Sequence, residues 1–311
     1  MKKDQRKIVF MGTPYFARNL LASLITDQYH IIAVVTQPDK PVGRKRVYEK
    51  PPVKLLAEEN DVPVYQPLKI KEDYQFMIDL NPDLIITCAY GQLIPKEILD
   101  NFLCINVHAS LLPKLRGGAP MHRAIMNGEQ ETGITLMKMA QKMDAGDIIV
   151  QEKVMIENTD TVGSLQEKLI ICAIKMMKEY LPLILDDKVV YTTQEHEKAT
   201  FGYNINKEEE YVSFDQAYQV VYDHIRALIP WPIAYGVIDG IKIRFHSVRS
   251  TVIETNEANG TLIGLYEDNL AIAVDHRLLL IKDLQVEGRN VMSAKDFMNG
   301  KGKSLIHKQF M

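Results

Sequence analysis

A chain of 311 residues is long for a single core, since domains usually run about 100 to 200 residues, so two domains are expected, each burying its own core. Hydrophobic residues at 46% and charged residues at 25% are ordinary globular values, and no apolar run approaches the roughly 18 residues of a membrane span, which excludes a membrane-spanning class. A net charge of −3 provides no general attraction to phosphate, so a nucleic-acid partner must be held by local basic patches.

The first segment, "MKKDQRKIVFMG", is basic, but its apolar run is too short for a signal peptide, and a cytoplasmic location is expected. Runs of strand length follow at Lys7 to Met11, Ile31 to Thr36, Asp83 to Cys88 and Cys104 to Val107, apolar enough to be buried parallel strands. Helical patterns at Ala17 to Ile25 and Val53 to Asn60 lie between them, and a longer one runs from Val162 to Asp186. This alternation predicts a doubly wound, mostly parallel Rossmann-like α/β sheet over residues 1–189. The polar stretch 190–206 lacks periodicity and reads as a linker, so a chain cut after about Asn206 is expected to keep a folded first half. Residues 207–311 then open with a helix, Asp215 to Leu228, ended by Pro230 and Pro232. Asp239-Gly240 between alternating runs signals a hairpin, and further short strands suggest a small OB-like β-barrel, with Trp231 in its core. Cys88, Cys104 and Cys172 are odd in number and far apart, which suggests inert buried thiols and neither a disulfide frame nor a zinc site.

Chemistry concentrates in "INVHASLLPKLRGGAP". Ligands of open α/β sheets sit beyond the carboxyl ends of the strands, where Asn106 and His108 fall, and residues two apart on a strand share a face. An amide donor for an oxyanion and an imidazole for proton transfer then converge. Asp144 and Asp147, in "KMDAGD", each supply a carboxylate to orient the ring. The spacing fits equally well two polar caps of a buried strand end. A dinucleotide site lacks its G-x-G-x-x-G, and a hydrolase using Ser110 lacks the G-x-S-x-G elbow.

Read together, "FMGTPYFA", "VVTQPDKPVGRKR", "AYGQLIP", N-x-H-x-S-L-L-P with a later D-x-G-D, and R-x-x-x-P-W-P-x-A resemble the 10-formyltetrahydrofolate-dependent formyltransferases, in the branch that acts on tRNA. The likeness spans nearly the whole chain. Tyr15, Leu115 and Phe214 depart from it, standing where Asp, Tyr and Trp are usual. The resemblance implies 10-formyltetrahydrofolate as formyl donor, initiator methionyl-tRNA as acceptor, no metal, no membrane partner and a monomer. It makes Asn106, His108 and Asp144 catalytic, with Asn106 and His108 stabilising an oxyanion, His108 moving a proton and Asp144 orienting it. It assigns folate binding to Ser110, Leu111, Leu112 and Pro113, and to Tyr90, Gly91, Gln92, Leu93 and Ile94. Arg116 is implied either to hold the loop or to face the substrate.

Lys40 to Lys54 holds six basic residues against Glu49, a local net charge of +5, which reads either as a solvated basic loop or as a phosphate-binding one. By resemblance it meets the acceptor stem of the tRNA, through Lys40, Arg44, Lys45 and Arg46, with Lys207 a further contact. Gly288 to Met311 is basic as well. Two other classes stay open: a formyltransferase for a small amine, and an RNA-binding module with a silent folate pocket.

Overall fold

The computed structural model describes residues 5–42 and 47–311. The chain divides into two compact units, one of Met1–Pro120, Thr132–Met155 and Gln166–Tyr203, the other of Met121–Glu131, Ile156–Leu165 and Asn204–Met311.

Among the described residues, nine strands belong to the first half: β1 (Ile8–Gly12), β2 (Ile31–Val35), β3 (Lys40–Val42), β4 (Val47–Glu49), β5 (Val64–Tyr65), β6 (Leu84–Cys88), β7 (Cys104–His108), β8 (Glu131–Lys138) and β9 (Ile148–Met155). Seven form one sheet in the order β5-β2-β1-β6-β7-β8-β9, and β3 and β4 pair separately. From β5 to β7 the pairing is parallel, and β8 turns antiparallel to β7. Every residue of β1 and β6 is buried, as expected of strands covered on both faces. The chain winds outward from β1 to β5, then returns beside β1 with β6. That reversal opens a crevice at the carboxyl edge of the sheet, the usual ligand position in such folds.

Helices α1 (Tyr15–Thr26), α2 (Pro52–Glu59), α3 (Gln75–Leu80), α4 (Lys96–Asn101), α5 (Pro120–Met126) and α6 (Val162–Leu185) connect or follow these strands. The stretch expected as a linker is bound to the first unit through Tyr203: Ile148 and Thr192 bridge, Arg116 and Phe201 bridge, and Gln194 is buried. Its main-chain pairings are isolated bridges, one to the start of β9 and one to the Arg116 loop, rather than a continuous ladder, which is why it carries no periodicity.

The second unit contains α7 (Tyr218–Ala227) and strands β10 (Tyr235–Ile238), β11 (Ile241–Phe245), β12 (Leu262–Tyr266), β13 (Asn269–Val274), β14 (Arg277–Ile281), β15 (Asp283–Val286) and β16 (Met292–Ser293), followed by α8 (Ala294–Asn299). They form antiparallel sheets β10-β11-β15-β16 and β12-β13-β14, whose apolar faces share one core with α7 and α8. Its three tight hairpins turn on Asp239-Gly240, Glu267-Asp268 and Asp275-His276, with φ positive at every one of these residues. Such turns match the twist of paired strands, and only the first has the glycine that signals one in sequence. Phe214 is 3% exposed and packs with Phe245 and Phe310, so a phenylalanine fills this position with aromatic contacts.

Trp231 corrects an expectation: it is 68% exposed rather than in the core. Pro230 and Pro232 keep its segment out of helix and strand, so no periodic face carries the indole inward. His122 fixes the turn instead, donating from Nε2 to the Trp231 carbonyl at 3.2 Å with its ring edge-on to the indole.

Candidate functional site

β7 sits between β6 and β8, and the pleat at its end directs Asn106 and His108 to one face while Val107 enters the core. Asp144 arrives from the turn between β8 and β9. Its Oδ1 accepts from Asn106 Nδ2 at 3.2 Å, and its Oδ2 accepts from the Gly117 N–H at 2.8 Å. The same Oδ2 lies 3.7 Å from His108 Nδ1, with both side chains largely buried. The three residues predicted from motif and resemblance therefore converge. Asp147, the other candidate carboxylate, contributes its main-chain carbonyl to Lys138 N.

Hydrogen-bond logic fixes the orientations. A carboxylate only accepts, so the Asn106 nitrogen must face Asp144, and the Asn106 oxygen faces the Thr87 hydroxyl, whose one hydrogen is shared between that oxygen at 2.9 Å and the Ile105 carbonyl at 3.0 Å. One amide hydrogen of Asn106 is left for a ligand. The His108 Nε2 lies 3.0 Å from the Leu115 carbonyl, also acceptor-only, so Nε2 carries a proton. Nδ1 is the position left for proton exchange, and at 3.7 Å its interaction with Asp144 is electrostatic rather than a hydrogen bond.

The Ser110–Pro113 loop is pinned from below. Thr135 Oγ1 donates to the Ser110 carbonyl at 2.6 Å and accepts from Leu112 N, while Gln151 Nε2 donates to the Leu112 carbonyl at 2.8 Å. Ser110 is buried and donates to the Lys114 carbonyl, so its hydroxyl is committed within the loop. The other expected folate segment leaves β6, the strand beside β7. The Tyr90 carbonyl accepts from Thr13 and Gln37, Gly91 stands at φ +88° where a side chain would be strained, and Gln92 is tied to Ile70 N, Pro67 O and Leu68 O. Leu93 is exposed and Ile94 buried; the Tyr90 hydroxyl is buried without a partner, and burial pushes its pKa up to about 12.

Arg44, Lys45 and Arg46 lie outside the described residues. Around them, β3 and β4 pair antiparallel, Lys40 opposite Glu49, with Val47 and Tyr48 exposed. Lys50 pairs with Glu58 at 2.7 Å and Lys54 with Asp39 at 2.9 Å, acids just outside the stretch counted as basic, so two of its six cations already have acidic partners within the protein. Lys207 is exposed in the second unit, before the short 3-10 turn Glu208–Glu210. In the basic C-terminal stretch, Lys295 and Lys308 approach Asp268 and Asp239.

Sequence reasoning missed Thr87 and Gln194. Thr87 had a signal, a hydroxyl near the end of an otherwise apolar strand; Gln194 had none. Cys88, Cys104 and Cys172 are buried free thiols, with burial pushing Cys104 up to about 12 and Cys172 up to about 11. Among the described residues no group of three or more His, Cys, Asp or Glu could hold a metal ion, and no helix is long and apolar enough to cross a membrane.

The formyl transferase family matches residues 6–181, and the formyl transferase C-terminal domain family matches residues 204–302. Among curated relatives, the methionyl-tRNA formyltransferase of Geobacillus thermodenitrificans is 46% identical over 303 residues, covering 96% of this chain and 95% of its own. That of Bacillus thuringiensis subsp. konkukian is 44% identical over 299 residues, covering 94% and 95%. Among solved structures, HypX from Aquifex aeolicus in complex with tetrahydrofolic acid superposes with a TM-score of 0.70 at 15% identity, over 97% of this chain and 48% of that one. WlaRD, a sugar 3N-formyl transferase, does so with a TM-score of 0.64 at 20% identity, over 92% and 100%. These two likenesses show the fold, and the sequence matches, which span both units, show the kinship: the chain belongs to the formyl transferase family.

Proposed function

We propose that this chain transfers the formyl group of 10-formyltetrahydrofolate to the α-amine of initiator methionyl-tRNA, acting as a monomer in the cytoplasm. What carries the reading is the convergence of Asn106, His108 and Asp144 at the end of β7, in a chain 46% identical over nearly its whole length to an enzyme named for that reaction.

The residues fit the chemistry. The remaining amide hydrogen of Asn106 is available for the formyl oxygen as it takes up negative charge; removing such a donor typically costs about 100- to 1000-fold in rate. The attacking amine has a reference pKa of about 7.7 to 8.0, so a base that takes its proton has a role near neutral pH. His108 takes that proton at Nδ1, because Nε2 is already committed to the Leu115 carbonyl. The imidazolium that results has the Asp144 carboxylate 3.7 Å away.

Folate binding is assigned to the loop Ser110–Pro113 and to Tyr90–Ile94, which leave adjacent strands at one sheet edge. The tRNA is held by Lys40, Arg44, Lys45, Arg46 and Lys207, which position phosphates rather than read bases. The test incubates the protein with formyl-folate and charged initiator tRNA, with a nucleotide-linked amino sugar and a free small amine in parallel. Formylation of the tRNA alone supports the reading, and preference for either small amine overturns it.

A further inference from the structure

Asp144 occupies a strained piece of backbone. Its φ of +49° lies in the left-handed region that residues with a side chain rarely adopt, and two residues on, Gly146 packs so closely on the Lys138 carbonyl that no Cβ would fit. Two carbonyls of this turn are satisfied from outside it. Gln194, 4% exposed and 50 residues downstream, satisfies both: its Nε2 donates to the carbonyls of Asp144 at 3.0 Å and Gly146 at 2.7 Å.

The other half of that amide is committed as well. Gln194 Oε1 accepts from Arg116 Nε at 3.2 Å and from Arg116 Nη2 at 2.6 Å, and Nη2 also meets His196 Nδ1 at 2.9 Å. Two carbonyls facing the nitrogen and a guanidinium facing the oxygen permit one orientation of the amide. Arg116 is 1% exposed, and the next residue, Gly117, donates its N–H to the Asp144 carboxylate. A closed circuit results: Gln194 holds the main chain of Asp144 directly and, through Arg116 and Gly117, the site where its carboxylate docks. Desolvation works against the buried charge of Arg116 and the Asp144 carboxylate favours it, so the circuit is electrostatic as well as geometric.

We infer that Gln194 is a positioning residue for formyl transfer, setting the Asp144 carboxylate against Asn106 and His108 without touching the reacting atoms. The inference rests on the proposed role of Asp144. A misplacement of about 1 Å at such a group can cost about 100-fold in rate, whereas substrate binding depends on the loops Ser110–Pro113 and Tyr90–Ile94, pinned by Thr135, Gln151, Thr13 and Gln37.

The experiment uses the full chain and measures kcat and both KM values for Gln194→Glu, Gln194→Ala and Asp144→Asn, with kcat normalised to the folded fraction by near-UV circular dichroism. Gln194→Glu is isosteric and retains an oxygen against Arg116, but turns its second oxygen on two carbonyls. Expected are kcat losses of about 10- to 100-fold for both Gln194 variants, with KM values within about twofold. Protonating the introduced carboxyl group returns one donor to the turn, so the ratio of Gln194→Glu to wild-type kcat rises as pH falls, while that of Gln194→Ala stays flat. A pure packing role would leave Gln194→Glu near wild type at every pH, and that result, beside an inactive Asp144→Asn, overturns the positioning role while the formyl-transfer reading stands. A fully active Asp144→Asn overturns the role of Asp144 and the inference with it, while formyl transfer itself stands.

Discussion

The hydroxyl of Thr87, on β6, donates to the side-chain oxygen of Asn106, on the neighbouring β7, over 2.9 Å. Asp144 holds the nitrogen of the same amide at 3.2 Å and sets its orientation, and the Thr87 hydroxyl, shared with the Ile105 carbonyl at 3.0 Å, steadies the other end. Thr87→Val keeps the shape and removes the hydroxyl. We expect kcat to fall about 10-fold with little change in either KM, and stability to fall by about 1 kcal/mol, while Thr87→Ser retains most activity. Steady-state kinetics and urea titration check both numbers; an unchanged kcat in Thr87→Val would show that Asp144 alone orients the amide.

Asn106→Ala, His108→Ala and Asp144→Asn are each expected to lower turnover by at least about 100-fold. Binding of folate and tRNA should change little, because the loops assigned to them are held by other residues. Full activity in any two of the three would dismiss the assignment, with isothermal titration against folate as the control for folding.

Neutralising Arg44, Lys45 and Arg46 together is expected to raise the KM for charged tRNA and to flatten its salt dependence, by about 0.7 to 0.9 in log–log slope for each phosphate no longer neutralised. Lys50→Gln should leave that slope unaltered, since Lys50 is paired with Glu58. A triple variant with the wild-type slope would make the stretch a solvated surface.

Cutting the chain after Asn206 looks harmless from composition, but Met121–Glu131 and Ile156–Leu165 group with the second unit. There Met126 packs on the apolar core, Tyr222 donates to the Asn158 carbonyl at 2.8 Å, and Arg226, paired with Asp223, donates to the carbonyls of Glu157 and Asp160. The fragment should therefore melt well below the full chain and bind a dye for exposed apolar surface. A fragment with the Tm of the intact protein would show that these insertions are dispensable.

Burial lowers the pKa values of His122 and His224 from the usual histidine value of 6.5. Below that value the unfolded chain takes up protons that the folded chain refuses, so stability is present above about pH 6.5 and declines as pH falls through the lowered values. Chemical denaturation at pH 7.5 and 5.0 should show this loss, reduced in His122→Gln. Trp231, the sole tryptophan, is exposed in the native state, so acrylamide should quench its emission readily before any unfolding.

The sheet was legible because β1, β6 and β7 are apolar runs of strand length, and burial on both faces demands that pattern. Asn106, His108 and Asp144 were legible because short motifs carry them. Gln194 was not, since a glutamine whose partners are carbonyls of a distant turn leaves no period and no motif. The grouping of 121–131 and 156–165 with the second unit was likewise hidden: α5 was not read as a helix, the start of α6 was read as part of the first half, and nothing local tells a helix which core it will join. Trp231 misled because a large indole usually lies inside, whereas its two flanking prolines decide otherwise.

The ring of His108 is anchored by an oxygen of the main chain, at Leu115. Such an anchor is inherited without being spelled by any one side chain. Replacing Leu115, even by the tyrosine that the family resemblance leads one to expect there, leaves that oxygen in place, so the side chain at 115 says nothing of what the imidazole rests on. What the anchor does not tolerate is a change of chain length: one residue gained or lost between Pro113 and Gly117 would move the carbonyl out of reach, and with it the contact that keeps a proton on Nε2 of His108.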